Sequence, residues 1–238
     1  MVRISVRNEK PVVVYVLMAI TILIYLLQEG SLFLTGTDIP SGLGVKSNEA
    51  ILLGQWWRLI TPMFLHGGIL HIAFNMYALY AFGPMLERHY GRWQFLLLYL
   101  VSGFAGNVAS YMSTVPYSLG SSTAIFGLLG AYGVFMYQNR KIFGDVARRA
   151  LGNIAMIAVI NLIIGFSSTM IDNWGHIGGL AGGTLFAWIS GPAYRAEGIY
   201  PDIRVVDRRD AGDAARASLA VGALFALLAA ATSFLRLR

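Results

Sequence analysis

Apolar residues occupy this chain in long blocks, at roughly 11–28, 67–84, 93–113, 121–139, 150–166, 174–191 and 216–235. A helix of about 20 mostly apolar residues crosses a bilayer core about 30 Å thick. The pattern therefore predicts seven helical spans. No polar block between them is long enough to fold as a soluble domain. The longest connection, 29–66, alternates polar and apolar residues and holds Trp56, Trp57 and Arg58, a grouping suited to the headgroup interface. The segment 192–215 is charged and reads as a linker. The first block follows Arg3, Arg7 and Lys10 and so has the charge pattern of a signal peptide. It is long for such a peptide, and no small-x-small cleavage site follows it, so it is read as a retained first span. The expected organisation is a tail at 1–10, a six-span core at 11–191, a linker at 192–215, and a seventh span with a short tail at 216–238.

Composition agrees with repeated bilayer crossing. Hydrophobic residues make up 56% of the chain and charged residues 13%, against about a quarter charged in a soluble domain. So few charges could not cover a water-soluble surface. There is no cysteine, which removes disulfides, thiolate chemistry and Cys-based metal sites. The net charge of +6 would fit a nucleic-acid partner, but its distribution points to topology instead. With the N-terminus placed in the cytoplasm, 14 of the 18 Lys and Arg residues fall on the cytoplasmic side; Lys46, Arg58, Arg236 and Arg238 do not. That is the positive-inside arrangement. A lipid bilayer, and no nucleic acid, is the expected surrounding, and the oligomeric state is left open.

Parity then aligns three spans. Spans two, four and six all run from outside to inside, so their first turns share one depth near the outer face. Those turns carry His66, His71 and Asn75, then Ser122, then His176. Polar groups from three helices meeting at one membrane depth suggest a site.

Each residue has a plain reading and a chemical one. Ser122 lies in Gly120-Ser121-Ser122-Thr123-Ala124-Ile125-Phe126-Gly127. It serves equally as a helix N-cap or as a nucleophile whose own N–H, free at a helix start, steadies an oxyanion. His176 opens a segment in which Gly175, Gly179 and Gly183 recur every four residues, as do Gly178 and Gly182. Such spacing admits a close neighbouring helix. The imidazole is then either a satisfied core group or a base within reach of a serine at its own depth. His71 and Asn75 share one helical face and are either a bundle-holding pair or oxyanion donors. His66 is placed with the loop. Asp172, four residues before His176, is a weaker candidate for orienting the imidazole.

Taken in order, these motifs resemble the rhomboid family of intramembrane proteases across nearly the whole chain. Gln55 to His66 resembles the family's first-loop motif; His66, His71 and Asn75 keep the spacing of its second helix. Gly120, Ser122, Ile125, Phe126 and Gly127 resemble its nucleophile segment, and His176, Gly179 and Gly183 its H-x-x-G-x-x-x-G. The resemblance implies an all-α polytopic fold, a six-helix bundle plus one C-terminal helix. It implies an endopeptidase of membrane-protein substrates, single-pass or polytopic, that uses no cofactor or metal. Ser122 would be the nucleophile and His176 the base. His71, Asn75 and the Ser122 N–H would form the oxyanion hole. Phe126 would support the imidazole by stacking, and Trp57 and Arg58 would anchor the first loop at the interface. The implied setting is a bacterial or archaeal cell membrane with the site facing outward. Two residues depart from the family pattern: Thr123 replaces the usual glycine after the nucleophile, its hydroxyl expected on a nearby carbonyl, and Gln55 stands where glutamate is frequent. An inactive relative that binds transmembrane helices would lack the serine or the histidine, and this chain keeps both. A transporter or a haem or metal protein would call for more than three clustered histidines or an intramembrane carboxylate.

Overall fold

The computed structural model describes residues 10–168, 171–198 and 204–238. The tail with Arg3 and Arg7, and part of the expected linker, lie outside the described residues. Among the described residues ten α-helices run in order: α1 Val12–Thr35, α2 Ile39–Gly44, α3 Asn48–Leu52, α4 Ile69–Tyr90, α5 Arg92–Met112, α6 Ser122–Gln138, α7 Arg140–Phe143, α8 Asp145–Phe166, α9 Asn173–Ser190 and α10 Ala211–Arg236. Among the described residues, α1, α4, α5, α8 and all but the first residue of α10 are long and apolar enough to cross a membrane. The shorter α6 and α9 have 17 and 18 residues.

Local chemistry sets several helix ends. α1 continues beyond its apolar block until Gly36 turns left-handed at φ 72° and its N–H caps Leu32 O. At the other end no side chain of α1 caps its first turn. The Glu87 carboxylate of α4 does so instead, accepting from the N–H groups of Val13 (3.0 Å) and Val14 (2.8 Å). α4 runs through Pro84 to Tyr90, well past its expected end at 84. A proline removes one intrahelical hydrogen bond, and tertiary packing overrides that loss: Leu86, Glu87 and Tyr90 are all buried. Asp210 and Asp213 close a reciprocal capping box at the start of α10.

The core lies between α5, α6 and α9, where glycine lets backbones approach. A Cβ added at Gly179 would stand 2.0 Å from Thr123 O, and one at Gly183 would stand 2.2 Å from Gly127 O, so this stripe of α9 faces α6. Gly178 and Gly182 face α5 instead, against Ala109 and Ala105. The two glycine registers of α9 thus serve two different neighbours. On the outside, α8 presents Met156, Val159, Ile160, Ile163 and Ile164, and α10 presents Leu219 and Leu227, all exposed. Exposed apolar faces of this extent belong in lipid.

The connections hold more structure than their sequence suggests. The first loop contains α2, α3, 3-10 turns at Trp56–Leu59 and Thr61–Phe64, and strand β1 (Lys46–Ser47). β1 pairs antiparallel with β2 (Tyr117–Ser118), tying this loop to the approach to α6. The segment read as a plain linker forms an antiparallel hairpin, β3 (Tyr194–Glu197) with β4 (Arg204–Asp207). Asn139 docks it on the bundle, accepting from Tyr194 N and donating to Pro192 O. Its few inward residues gave no strand periodicity.

Candidate active site

Ser122 is the first residue of α6. Its neighbour Gly120 adopts φ 126°, a backbone that side chains rarely tolerate, and a Cβ there would meet His71 Nε2 at 2.7 Å. Glycine therefore both turns the chain into α6 and makes room for a ring from α4. His176, in the first turn of α9, is 9% exposed. Its Nε2 lies 2.9 Å from Ser122 Oγ. The Phe126 ring, one turn after Ser122, stacks on the imidazole with centroids 4.2 Å apart and planes 9° from parallel. The close α6–α9 approach brings these three residues together.

His71 sits at the start of α4. Gly67 N–H donates to its Nδ1 at 3.4 Å, which leaves Nε2 to carry the proton. That donor lies over Gly120, two residues before the serine. Asn75 is buried, and its Nδ2 donates to His71 O at 3.0 Å. The amide keeps a second N–H.

His66 stands behind this group. Its Nε2 meets Ser121 Oγ at 3.2 Å, and its ring lies edge-on to His71 at 5.0 Å. Burial, with His71 alongside, pushes its pKa down to about 3, so it is neutral. Its backbone is gripped by Gln28 of α1: Oε1 accepts from His66 N at 3.0 Å, and Nε2 donates to His66 O at 3.2 Å. The same Nε2 reaches Asp38 and Ser41. Gln28 was missed from the sequence, although a polar amide closing an apolar block was a visible signal.

Arg58 is turned inward rather than toward headgroups. It is 7% exposed and donates to Gln55 Oε1 (2.7 Å), Val45 O (2.9 Å) and Gly42 O (2.7 Å). Gln55 thus accepts where a carboxylate would have made an ion pair. Trp57 keeps an exposed ring and donates from its indole N–H to Leu43 O. Lys46, fully buried, donates to Val115 O at 2.6 Å and Asn48 Oδ1 at 2.9 Å.

Two expectations change. Asp172 caps α9 by accepting from Gly175 N at 2.9 Å. Its backbone carbonyl accepts from His176 N at 3.1 Å, but its carboxylate makes no hydrogen bond to the imidazole, whose Nδ1 is buried without a partner, as is Thr123 Oγ1. Thr123 therefore does not bond a carbonyl. Its Cβ and methyl lie where side chains on Gly106 of α5 and Gly175 of α9 would stand. The extra volume of threonine is taken up by glycine on both flanking helices.

Fold and site together define a polytopic α-helical membrane protein with a serine–histidine contact among its central helices. Comparison with known proteins narrows that class. The rhomboid domain model matches residues 53–193, and the chain belongs to the rhomboid family. It is 45% identical over 182 residues to the rhomboid protease GluP of Bacillus subtilis (strain 168), covering 76% of this chain and 35% of that protein. It is 36% identical over 145 residues to the putative rhomboid protease YdcA of the same organism, covering 60% of this chain and 71% of that protein. It is 36% identical over 171 residues to RHOMBOID-like protein 9, chloroplastic, of Arabidopsis thaliana, covering 68% of this chain and 39% of that protein. The chain thus spans little more than a third of the length of two of these relatives.

Proposed function

We propose that this chain is an intramembrane serine endopeptidase with a Ser122–His176 dyad. The observation that carries the reading is the 2.9 Å contact between His176 Nε2 and Ser122 Oγ at the start of α6, with the imidazole held flat by Phe126. Two relatives carry the word protease in their names.

In the proposed reaction, Ser122 Oγ attacks the carbonyl carbon of the scissile bond while its proton passes to His176 Nε2. The carbonyl oxygen becomes an oxyanion, met by the Ser122 N–H, His71 Nε2–H and the second N–H of Asn75 Nδ2. His176 then gives its proton to the leaving amine, and the C–N bond breaks to leave an acyl-serine. Water, deprotonated by the same imidazole, hydrolyses that ester and restores Ser122. The imidazole must begin neutral, so turnover rises with pH as it loses its proton.

Water has to reach the dyad. α6 is roughly 26 Å long at 1.5 Å per residue, short of the hydrocarbon thickness of about 30 Å. A helix this short, opening on the polar first turns of α4 and α9, supports a recessed site wetted from one face. A substrate helix must unwind there, since a regular helix hides its carbonyls in hydrogen bonds. We assign a six-plus-one arrangement with α10 as the added span, the N-terminus in the cytoplasm and the dyad toward the outside of a prokaryotic cell membrane. The distribution of Lys and Arg supports that orientation.

The test is cleavage of a model transmembrane substrate by purified protein, beside Ser122→Ala. Cleavage by wild type alone supports the reading. Equal cleavage by both would remove Ser122 as the nucleophile, and cleavage by neither while the substrate still binds would replace the reading with a helix-binding relative. Fluorophosphonate should label Ser122 and spare Ser121.

A further inference from the structure

We infer that the basic end of the bundle carries a built site for one anionic phospholipid, in the groove between the start of α1 and the end of α4. The groove is an open surface depression of about 500 Å³ lined by Lys10, Val12, Tyr15, Val16, Ala19 and Arg88. Val12, Tyr15, Val16 and Ala19 follow helical spacing and form one apolar face of α1. Val12, Tyr15 and Val16 are 42%, 48% and 49% exposed. From Val12 to Ala19 the track is roughly 10 Å long, the length of about eight acyl carbons.

Two cations stand at one end of this track and none along it. Lys10 is exposed, and so is Arg88. Among the described residues neither forms an ion pair. Among the described residues the nearest acid in sequence, Glu87, is 3% exposed, with both oxygens taken by Val13 N and Val14 N; Glu9, next to Lys10, lies outside the described residues. Elsewhere at this end Asp145 faces Arg148, and Asp210 and Asp213 face Arg216. The groove therefore joins two positive charges, without an ion pair among the described residues, to an apolar track leading into the hydrocarbon. A glycerophospholipid with a net negative headgroup has that same division: its phosphate meets Lys10 and Arg88, and an acyl chain lies along Tyr15, Val16 and Ala19. A zwitterionic headgroup would bring its own ammonium against the two cations. A soluble phosphate would leave the apolar track uncovered.

The experiment uses the full chain in bilayers of phosphatidylcholine doped with spin-labelled phosphatidylglycerol or spin-labelled phosphatidylcholine of matched chains. The expected result is a saturable preference for phosphatidylglycerol. A cation near a membrane surface contributes about fivefold in lipid affinity, so Lys10→Gln with Arg88→Gln should erase a preference on the order of tenfold or more. Arg148→Gln with Arg149→Gln, cations at the same end but away from the groove, should keep it. Ala19→Trp should weaken long-chain phosphatidylglycerol and spare the dihexanoyl form, because it fills only the track. Fluorophosphonate labelling should be unchanged in every variant. Equal loss in both double variants would reduce the effect to general surface charge and overturn the site. So would an unchanged Lys10→Gln, Arg88→Gln protein. Full competition by millimolar inorganic phosphate would show an anion site with no lipid specificity and would overturn it too.

Discussion

Along α9, Gly179 and Gly183 press on the carbonyls of Thr123 and Gly127, and this backbone contact sets where His176 meets Ser122. In the loop before α4 the opposite device operates. Arg58, Lys46 and Gln28 gather carbonyls and N–H groups that lie far apart in sequence, and they hold the backbone that carries His66 and leads to His71. One half of the site is placed by the absence of side chains, the other by long polar ones. The difference follows from surroundings. In lipid there is no hydrophobic drive between helices, so close van der Waals packing aligns them. At the interface an irregular loop must satisfy every buried backbone group, and charged or amide side chains do so.

The largest effect belongs to the proposed Ser122–His176 dyad, on which both halves converge. His176→Ala should reduce cleavage to background and abolish fluorophosphonate labelling; loss of a nucleophile or base in a serine protease costs about 10⁶ in turnover. Labelling at the wild-type rate would remove His176 as the base. Asn75→Ala tests the donor half. It should lower turnover by about 10²–10³ yet still label, because the serine remains activated. An equal loss of labelling would move Asn75 from the oxyanion to the base.

The glycine seam comes next. Gly179→Ala should cost about 10² in turnover, the scale of a displacement near 1 Å, and should lower the thermal midpoint. Gly222→Ala in α10, where an added Cβ meets nothing within 4 Å, should leave cleavage unchanged. Matching effects at the two positions would mean that helix approach does not place the dyad. Gln28→Ala probes the polar scaffold. It strips partners from the buried His66 backbone at about 1–3 kcal/mol. The expected result is a lower melting temperature and a several-fold loss of turnover, with labelling retained.

The smallest effect is a pH dependence confined to the polar half. Burial lowers the Lys46 pKa to about 8, against about 10.4 in an unfolded chain. Between those values the unfolded state binds more protons, so stability rises with pH across about 8–10.4 and is flat, for this group, below 8. The thermal midpoint of wild type minus that of Lys46→Met should therefore rise as pH climbs through that window. A constant difference would show that Lys46 titrates alike in both states. Ser122 and His176 geometry, resting on glycine, should not follow that change.

The division between sequence and structure falls along the same line. Apolar blocks marked seven helices of 17 residues or more to within a few residues at most ends, because a long apolar run is a local property of the chain. Among the described residues five of them are long and apolar enough to cross a membrane. The four-residue glycine repeat showed that α9 has close neighbours, and motif order brought Ser122, His176, His71 and Asn75 forward together. Periodicity could not say that Gly179 faces α6 while Gly178 faces α5, since each register is compatible with either helix until three are packed. Nor could it turn Arg58 inward, give Gln28 the backbone of His66, or seat Thr123 against Gly106 and Gly175. Those outcomes depend on contacts between residues tens of positions apart, and only the folded chain brings such residues within hydrogen-bond or van der Waals distance.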